Sequence, residues 1–317
     1  MVSISEDQAG QRIDNFLLAL LKGVPKTRIY KMVRKGEVRI NKGRCKPEYK
    51  LQEGDEVRVP PVHTDVSGQE KIQPGTRQQD MLDSAILFED ENLIVLNKPA
   101  GFAVHGGSGL SFGVIEILRS MRKEHDFLEL VHRLDRDTSG CLLIAKNRKT
   151  LRWLHACLRD DRMNKVYHAA VFGRWPNHKK MIDAPLKKNE LKSGERVVKV
   201  DQEGKESQTK IRVLGVAKGF SLIEAKPITG RTHQIRVHCM HGGHAIIGDE
   251  KYATSDELEC FKASYGKPRL MLHAAKIEFP MMNSEKKVSF SAEYDGQFSA
   301  VLSSLGLADE KGRAIDV

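Results

Sequence analysis

The chain has 317 residues, 40% of them hydrophobic, and 52 Lys and Arg against 42 Asp and Glu give a net charge of +10. That is enough apolar material for a sizeable core, which excludes a disordered chain, and no run of about 18 apolar residues offers a transmembrane helix. The basic balance favours a polyanionic partner such as nucleic acid, and at this length one large and one small domain are expected. The polar start "MVSISEDQAG" lacks the apolar core of a secretory signal. Cys45, Cys141, Cys157, Cys239 and Cys260 form neither a C-x-x-C pair nor a disulfide framework, so a reducing, cytoplasmic setting is expected.

In "RIDNFLLALL", Ile13, Phe16, Leu17, Leu20 and Leu21 recur at the spacing of one helical stripe. Pro25 suits the opening of a second helix, whose buried face is Ile29, Met32 and Val33 and which Gly36 can close in a left-handed cap. "EVRIN" and "DEVRVP" alternate like short strands. Residues 11–60 hold thirteen Lys or Arg against six Asp or Glu. Arg28, Lys31, Arg34, Lys35 and Arg39 crowd together, and Arg28, Lys31 and Lys35 share the face turned away from the apolar stripe. Clustering of this kind suits phosphate contacts better than a merely solvated surface. "GQRIDNFL", "TRIYKMVRKGEVRIN" and "GDEVRV" resemble the S4 RNA-binding domain over residues 10–60, and that resemblance implies structured RNA.

Residues 63–84 mix Pro, Gly, Ser and charge without an apolar period and are expected to be an interdomain linker. Two strands around an acidic turn follow in "AILFEDENLIVLNKPAG", then a helix in "GVIEILRSM", a buried strand in "CLLIAKN", a helix in "TLRWLHACLRD" and a strand in "VYHAAVFGRW". "GFSLIEAKPITGRTHQIRVHCMHGG" reads as two strands broken at "PITG". Strands outnumber helices with little βαβ spacing, so an α+β domain around a largely antiparallel sheet is expected. The basic, glycine-broken stretch 178–218 fits an edge hairpin touching RNA and a solvated charged surface equally well.

No G-x-G-x-x-G and no G-x-x-x-x-G-K-[ST] occurs, and "HGGSG" at 105–109 reads as a flexible loop. His233, His238, Cys239, His241 and His244 lie within twelve residues, but no familiar ligand pair appears, strand alternation would part neighbours, and Arg231 and Arg236 would repel a cation. No metal is expected. There is no G-x-S-x-G elbow.

What remains is Asp135 and Asp137 in "HRLDRDTSG", Tyr167 in "KVYHA", and Arg231 and Arg236 in "PITGRTHQIRVH". An ionised Asp in a cleft needs a cation, and an arginine would keep it a carboxylate and a possible nucleophile. Spacing alone favours a structural Asp–Arg pair and leaves the two aspartates tied.

"HRLDRDTSG" resembles the signature of the RluA family of pseudouridine synthases, and "NKPAG", "KVYHA", "PITGRTHQIRVH", "GDEKY" and "RLMLHA" match further blocks in order across residues 86–290. Ala245 stands where the family often has Pro, and "LADEKGRAIDV" matches nothing. The resemblance implies an α+β pseudouridine synthase fold, with a mostly antiparallel or mixed central sheet flanked by helices and loops, behind a small S4 domain. The implied domains are 1–62 (S4-like), 63–84 (linker), 85–306 (catalytic) and 307–317 (flexible tail). It implies isomerisation of several uridines in 23S ribosomal RNA, with no cofactor, no membrane and no obligatory protein partner, by a monomer. The alternatives are a synthase of the same family acting on other 23S sites, or a ribosome-assembly RNA-binding factor whose catalysis is secondary.

By motif, Asp135 is the implied catalytic aspartate, and Asp137 falls at a variable position and is expected to be a turn or surface residue. Tyr167 is implied to pack on the target base, Arg236 to pair with Asp135, and Arg133 to take the place of the flipped uridine, with His132 and Arg231 contacting RNA. Extraction of a base from its stack costs a few kcal/mol, which a stacked guanidinium partly offsets.

Overall fold

A computed structural model describes residues 1–5, 8–21, 23–62, 74–106, 112–125, 127–190, 196–284 and 286–308. The chain divides into two compact units, Met1–Gln73 with Asn147–Lys149 and Pro74–Lys146 with Thr150–Val317.

The first unit contains β1 (Val2–Ser3), α1 (Ile13–Leu20), α2 (Lys26–Lys35), β2 (Arg39–Ile40) and β3 (Glu56–Arg58). The strands form an antiparallel sheet of order β1-β3-β2. Ile13, Phe16 and Leu17 of α1 and Ile29, Met32 and Val33 of α2 interlock in one core with Val38, Leu51 and Val57. Gly36 ends α2 in the left-handed conformation at φ 72°, donating its N–H back into the last turn. Leu20 departs from the predicted stripe: it ends α1 and is 44% exposed.

The larger unit runs α3 (Thr76–Asp83), β4 (Ile86–Glu89), β5 (Leu93–Lys98), α4 (Val114–Met121), β6 (Glu129–Leu130), β7 (Ser139–Ala145), α5 (Arg148–Arg159), β8 (Asn164–Phe172), β9 (Met181–Asp183), β10 (Leu186–Glu190), β11 (Arg196–Val200), β12 (Gln208–Ala217), β13 (Phe220–Pro227), α6 (Gln234–His241), α7 (Ser255–Tyr265), β14 (Leu272–Pro280), β15 (Lys287–Ser291) and α8 (Gly296–Leu305). Among the described residues its main sheet has ten strands, ordered β4-β5-β7-β14-β8-β13-β12-β9, with β15 beside β14 and β6 beside β7. All neighbours are antiparallel except β7 and β14. The expected α+β class and mixed sheet are what the chain adopts. On β5, Ile94 and Leu96 face a core shared with α3 and α4, while Leu93 and Val95 face one shared with α5. Burial on both faces explains its unbroken apolar run.

Three regions differ from the sequence reading. The end of the expected linker folds as α3, whose Leu82 is wholly buried against α4; one apolar anchor in eight residues leaves no visible period. The segment after "PITG" is the helix α6, not a strand. Ile235, Val237 and Cys239 mimic strand alternation, but Gln234 and His238 are buried with them and bonded inward, which hides the helical face in the sequence. Leu307, placed in the expected tail, is 1% exposed and joins the core that holds α8; residues 309–317 lie outside the described ones. In 178–218, β10 and β11 do form an antiparallel hairpin, and residues 191–195 lie outside the described ones, as do 107–109 of "HGGSG".

β7, β14, β8 and β13 lie side by side, with Ser139, His273, His168 and Glu224 in one row across them. Gly140, at φ 107°, is where β7 and β14 approach so closely that a Cβ would collide with the backbone of Ala274. The loop before β7, the face of β8 and the turn after β13 therefore converge.

Candidate active site

Each residue of the loop preceding β7 has its own environment. His132 accepts the Leu143 N–H at Nε2, 3.2 Å away, which ties the ring to β7. Burial pushes its pKa down to about 4, so the ring is a neutral acceptor. Arg133 is exposed, with no hydrogen bond or ion pair to its guanidinium among the described residues. Leu134 is buried in the core with α4. Asp135 turns into a cavity, and Arg136 turns out to solvent, where it pairs with Asp137 at 3.1 Å. Asp137 is half-exposed and does not line the cavity.

Lys98, the last residue of β5, holds this loop from below. Its side chain is 0% exposed, and Nζ donates to the carbonyls of Pro99 (2.8 Å), Phe102 (2.9 Å) and Arg136 (2.9 Å). Burial pushes the Lys98 pKa down to about 7, whereas three acceptors call for the three donors that only the ammonium has. The Gly101 N–H also donates to the Arg136 carbonyl, at 2.9 Å.

α6 brings Arg236 to Asp135. Nη1 lies 3.2 Å from Asp135 Oδ2, while Nε and Nη2 grip both oxygens of Asp249 at 2.8 and 2.7 Å. Asp249 is 1% exposed, and the two carboxylates hold the Arg236 guanidinium well above its ordinary pKa against the cost of burial. The Tyr252 ring lies 5.1 Å from the guanidinium carbon. On the other side of Asp135, His233 Nε2 is 3.8 Å from Oδ1. His233 caps α6 in the left-handed conformation at φ 53°, and its Nδ1 meets the Tyr252 hydroxyl at 2.7 Å. That hydroxyl also accepts the Val198 N–H at 3.1 Å, so Tyr252 ties His233 to β11. Burial lowers the His233 pKa, and the charge of Asp135 opposes this. Gln234 locks the turn before α6 by accepting from the Arg231 N–H and the Thr229 hydroxyl while donating to Gln208 O and Thr209 Oγ1.

Asp135, Tyr167, Arg236, Arg133, His132 and Arg231 all line one cavity of 730 Å³. Tyr167 is half-buried, and burial together with the Asp135 charge raises its pKa, so the phenol keeps its proton at neutral pH. Arg231 is exposed at the rim, with Nε donating to Glu206 O at 3.1 Å. An acid paired with a guanidinium beside a protonated phenol, at the base of an open cavity, can attack or deprotonate a bound sugar or base.

In the S4 unit, Lys31, Arg34 and Lys35 are exposed along α2 and line a shallow hollow with Lys26 and Tyr30. Arg28 lies 3.7 Å from Glu37, and Arg39 gives donors to the carbonyls of Gly36 and Lys42. Among the described residues no group of three His, Cys, Asp or Glu side chains is placed to hold a metal. His238 is bonded to Thr209 and Ala184, and His244 to Phe172 O.

Sequence reasoning passed over Asp249, Lys98 and Tyr252, and weighed His233 only as a metal ligand. "GDEKY" and "NKPAG" contain three of them, but a contact between Arg236 and Asp249 depends on the fold of the turn that joins them.

Residues 92–241 match the RNA pseudouridylate synthase family and residues 11–57 the S4 domain. Ribosomal large subunit pseudouridine synthase C of Haemophilus influenzae is 54% identical over 305 residues, 96% of this chain and 94% of that protein. Its namesake in Yersinia pestis is 54% identical, covering 96% and 95%, and that of Escherichia coli K12 is 52% identical, covering 93% of each. Among solved structures, human RNA pseudouridylate synthase domain containing 1 has a TM-score of 0.56 at 25% identity, covering 70% of this chain and 86% of that one. Human RNA pseudouridylate synthase domain containing 4 shares the fold, with a TM-score of 0.59 at 24% identity over 73% of this chain and 96% of that one. At such identity over nearly its whole length, the chain belongs to the RluA family of RNA pseudouridine synthases, isomerases of uridine, and carries an S4 domain ahead of the synthase domain.

Proposed function

We propose that the chain converts several uridines of 23S ribosomal RNA to pseudouridine, in the cytoplasm, as a monomer without cofactor or obligatory protein partner. The observation that carries the site assignment is the linked set Asp135–Arg236–Asp249 at the base of a cavity walled by Tyr167. The substrate class rests on the likeness to large-subunit synthases across both units.

In this reading the target uridine leaves its stack, and Arg133, free of protein partners, fills the gap and contacts phosphate. The uracil packs on Tyr167. Asp135 acts at the ribose: the C1′–N1 bond breaks, the uracil rotates, and a C1′–C5 bond forms. C5 loses its proton and N1 gains one, so no oxidant or external energy is required. Arg236 orients Asp135 and matches its charge. His132 positions the loop through β7, and Arg231 meets RNA at the rim. The exposed cations of α2, with Arg28 and Arg39 beside them, hold RNA through its phosphates.

Mapping pseudouridines in ribosomal RNA from a strain lacking this chain tests the reading. A small set of 23S positions should lose the modification and regain it when the wild-type chain is supplied. An unchanged 23S map would refute it.

A further inference from the structure

Strand alternation sends Lys165 and Tyr167 of β8 to the same face, roughly 7 Å apart along the strand. Both line the 730 Å³ cavity. Lys165 is half-buried, yet its ammonium has no hydrogen-bond or ion-pair partner among the described residues. Burial lowers its pKa and the charge of Asp161 opposes this. Its other ionisable neighbour, His132, has its Nε2 committed to Leu143 and carries no charge to offset. An ammonium half-withdrawn from water, with Asp161 beyond ion-pair distance, is unfavourable, and an incoming anion relieves the penalty.

The surrounding wall favours an anion as well. Arg133, Arg159 and Arg231 line the same cavity, while its acids are Asp135, already paired with Arg236, and Asp161. Among the described residues no other lysine lines the cavity.

We propose that Lys165 binds a phosphate adjoining the target uridine, fixing the nucleotide while its base lies on Tyr167 beside Asp135. This rests on the pseudouridine synthase reading of the site. A point charge on a flexible stem suits a phosphate oxygen, and its place one strand repeat from Tyr167 holds the backbone beside the base.

The test compares the full-length chain with its Lys165→Gln and Lys165→Arg variants on C5-tritiated, unmodified 23S transcript. Ethylation interference is read on the same RNA. For Lys165→Gln, KM should rise roughly tenfold while kcat at saturating RNA changes less than twofold. The slope of log affinity against log salt should fall by about 0.7–0.9, the equivalent of one phosphate. In the wild-type chain, ethylation of a phosphate next to a modified uridine should block binding; Lys165→Gln should lose that one signal and keep the others. Lys165→Arg should restore most of KM and the signal, which separates charge from folding. An interference pattern unchanged in Lys165→Gln would overturn the proposal. So would a fall in kcat with KM unchanged, which would place the ammonium on the reacting base. Absence of tritium release by the wild-type chain would instead strike the underlying reading.

Discussion

Arg236 reaches Asp135 with one arm and Asp249 with two. Nη1 is 3.2 Å from Asp135 Oδ2, while Nε and Nη2 lie 2.8 and 2.7 Å from the oxygens of the fully buried Asp249. Asp249 thus fixes the guanidinium, and the guanidinium fixes the acid at the cavity floor. A lysine could carry the charge but could not span both carboxylates.

Asp249→Asn should therefore damage both fold and turnover. Removing one partner of a buried pair costs roughly 3–5 kcal/mol. Urea unfolding should show a clear drop in midpoint, and kcat should fall by about a hundredfold or more with RNA affinity little changed. A variant with wild-type midpoint and kcat would show that Arg236 needs no anchor.

Lys98→Met removes the donor group shared by the carbonyls of Pro99, Phe102 and Arg136, of which, among the described residues, the Arg136 carbonyl alone keeps a second donor, the Gly101 N–H. Each buried acceptor left unsatisfied costs about 1–3 kcal/mol. Calorimetry should show a lower Tm, and single-turnover kinetics a slower chemical step, because the Arg136 carbonyl sits next to Asp135 in the loop. An unchanged rate would mean that the loop holds itself.

The contrast between these two residues shows how far the sequence could be read. The strands and helices around β5, β7 and β8 were legible because their apolar periods are plain, and Asp135, Tyr167 and Arg236 stood in motifs that resemble the family. Spacing could not separate Asp135 from Asp137; the fold does, placing one in the cavity and pairing the other with Arg136 at the surface. Lys98 reads in sequence as one more surface lysine at a strand end, since only burial and three converging carbonyls give it a task. Asp249 lies thirteen residues from Arg236, and α6 had to be a helix for them to meet. Its buried polar residues, Gln234 and His238, concealed that helix.

His273 links stability to acid. It is wholly buried between the Ser139 hydroxyl and the Ala292 carbonyl, and burial pushes its pKa down to about 4 from 6.5. Above pH 6.5 the ring is neutral folded or unfolded and adds no pH dependence. Between about 6.5 and 4 the unfolded chain takes up a proton that the folded chain excludes, so stability is lost as pH falls, by on the order of 3 kcal/mol. Urea midpoints should drop between pH 7 and pH 4.5, and His273→Asn should flatten that drop. An equal slope in the variant would contradict the account.

Replacing Lys31, Arg34 and Lys35 on α2 with Gln should weaken binding to 23S transcript. For every phosphate that the variant no longer neutralises, the log–log salt slope should flatten by about 0.7–0.9. Filter binding from low to moderate salt checks this, and an unchanged slope would remove α2 from the RNA interface.

The central claim is that Asp135, held by Arg236, performs the isomerisation. Its most direct test is tritium release from C5-labelled uridine in unmodified 23S transcript by the wild-type chain, Asp135→Asn and Asp137→Asn, each at saturating RNA. The wild-type chain and Asp137→Asn should release tritium at similar rates, and Asp135→Asn should release none while still binding the transcript. Release by Asp135→Asn at the wild-type rate would contradict the claim.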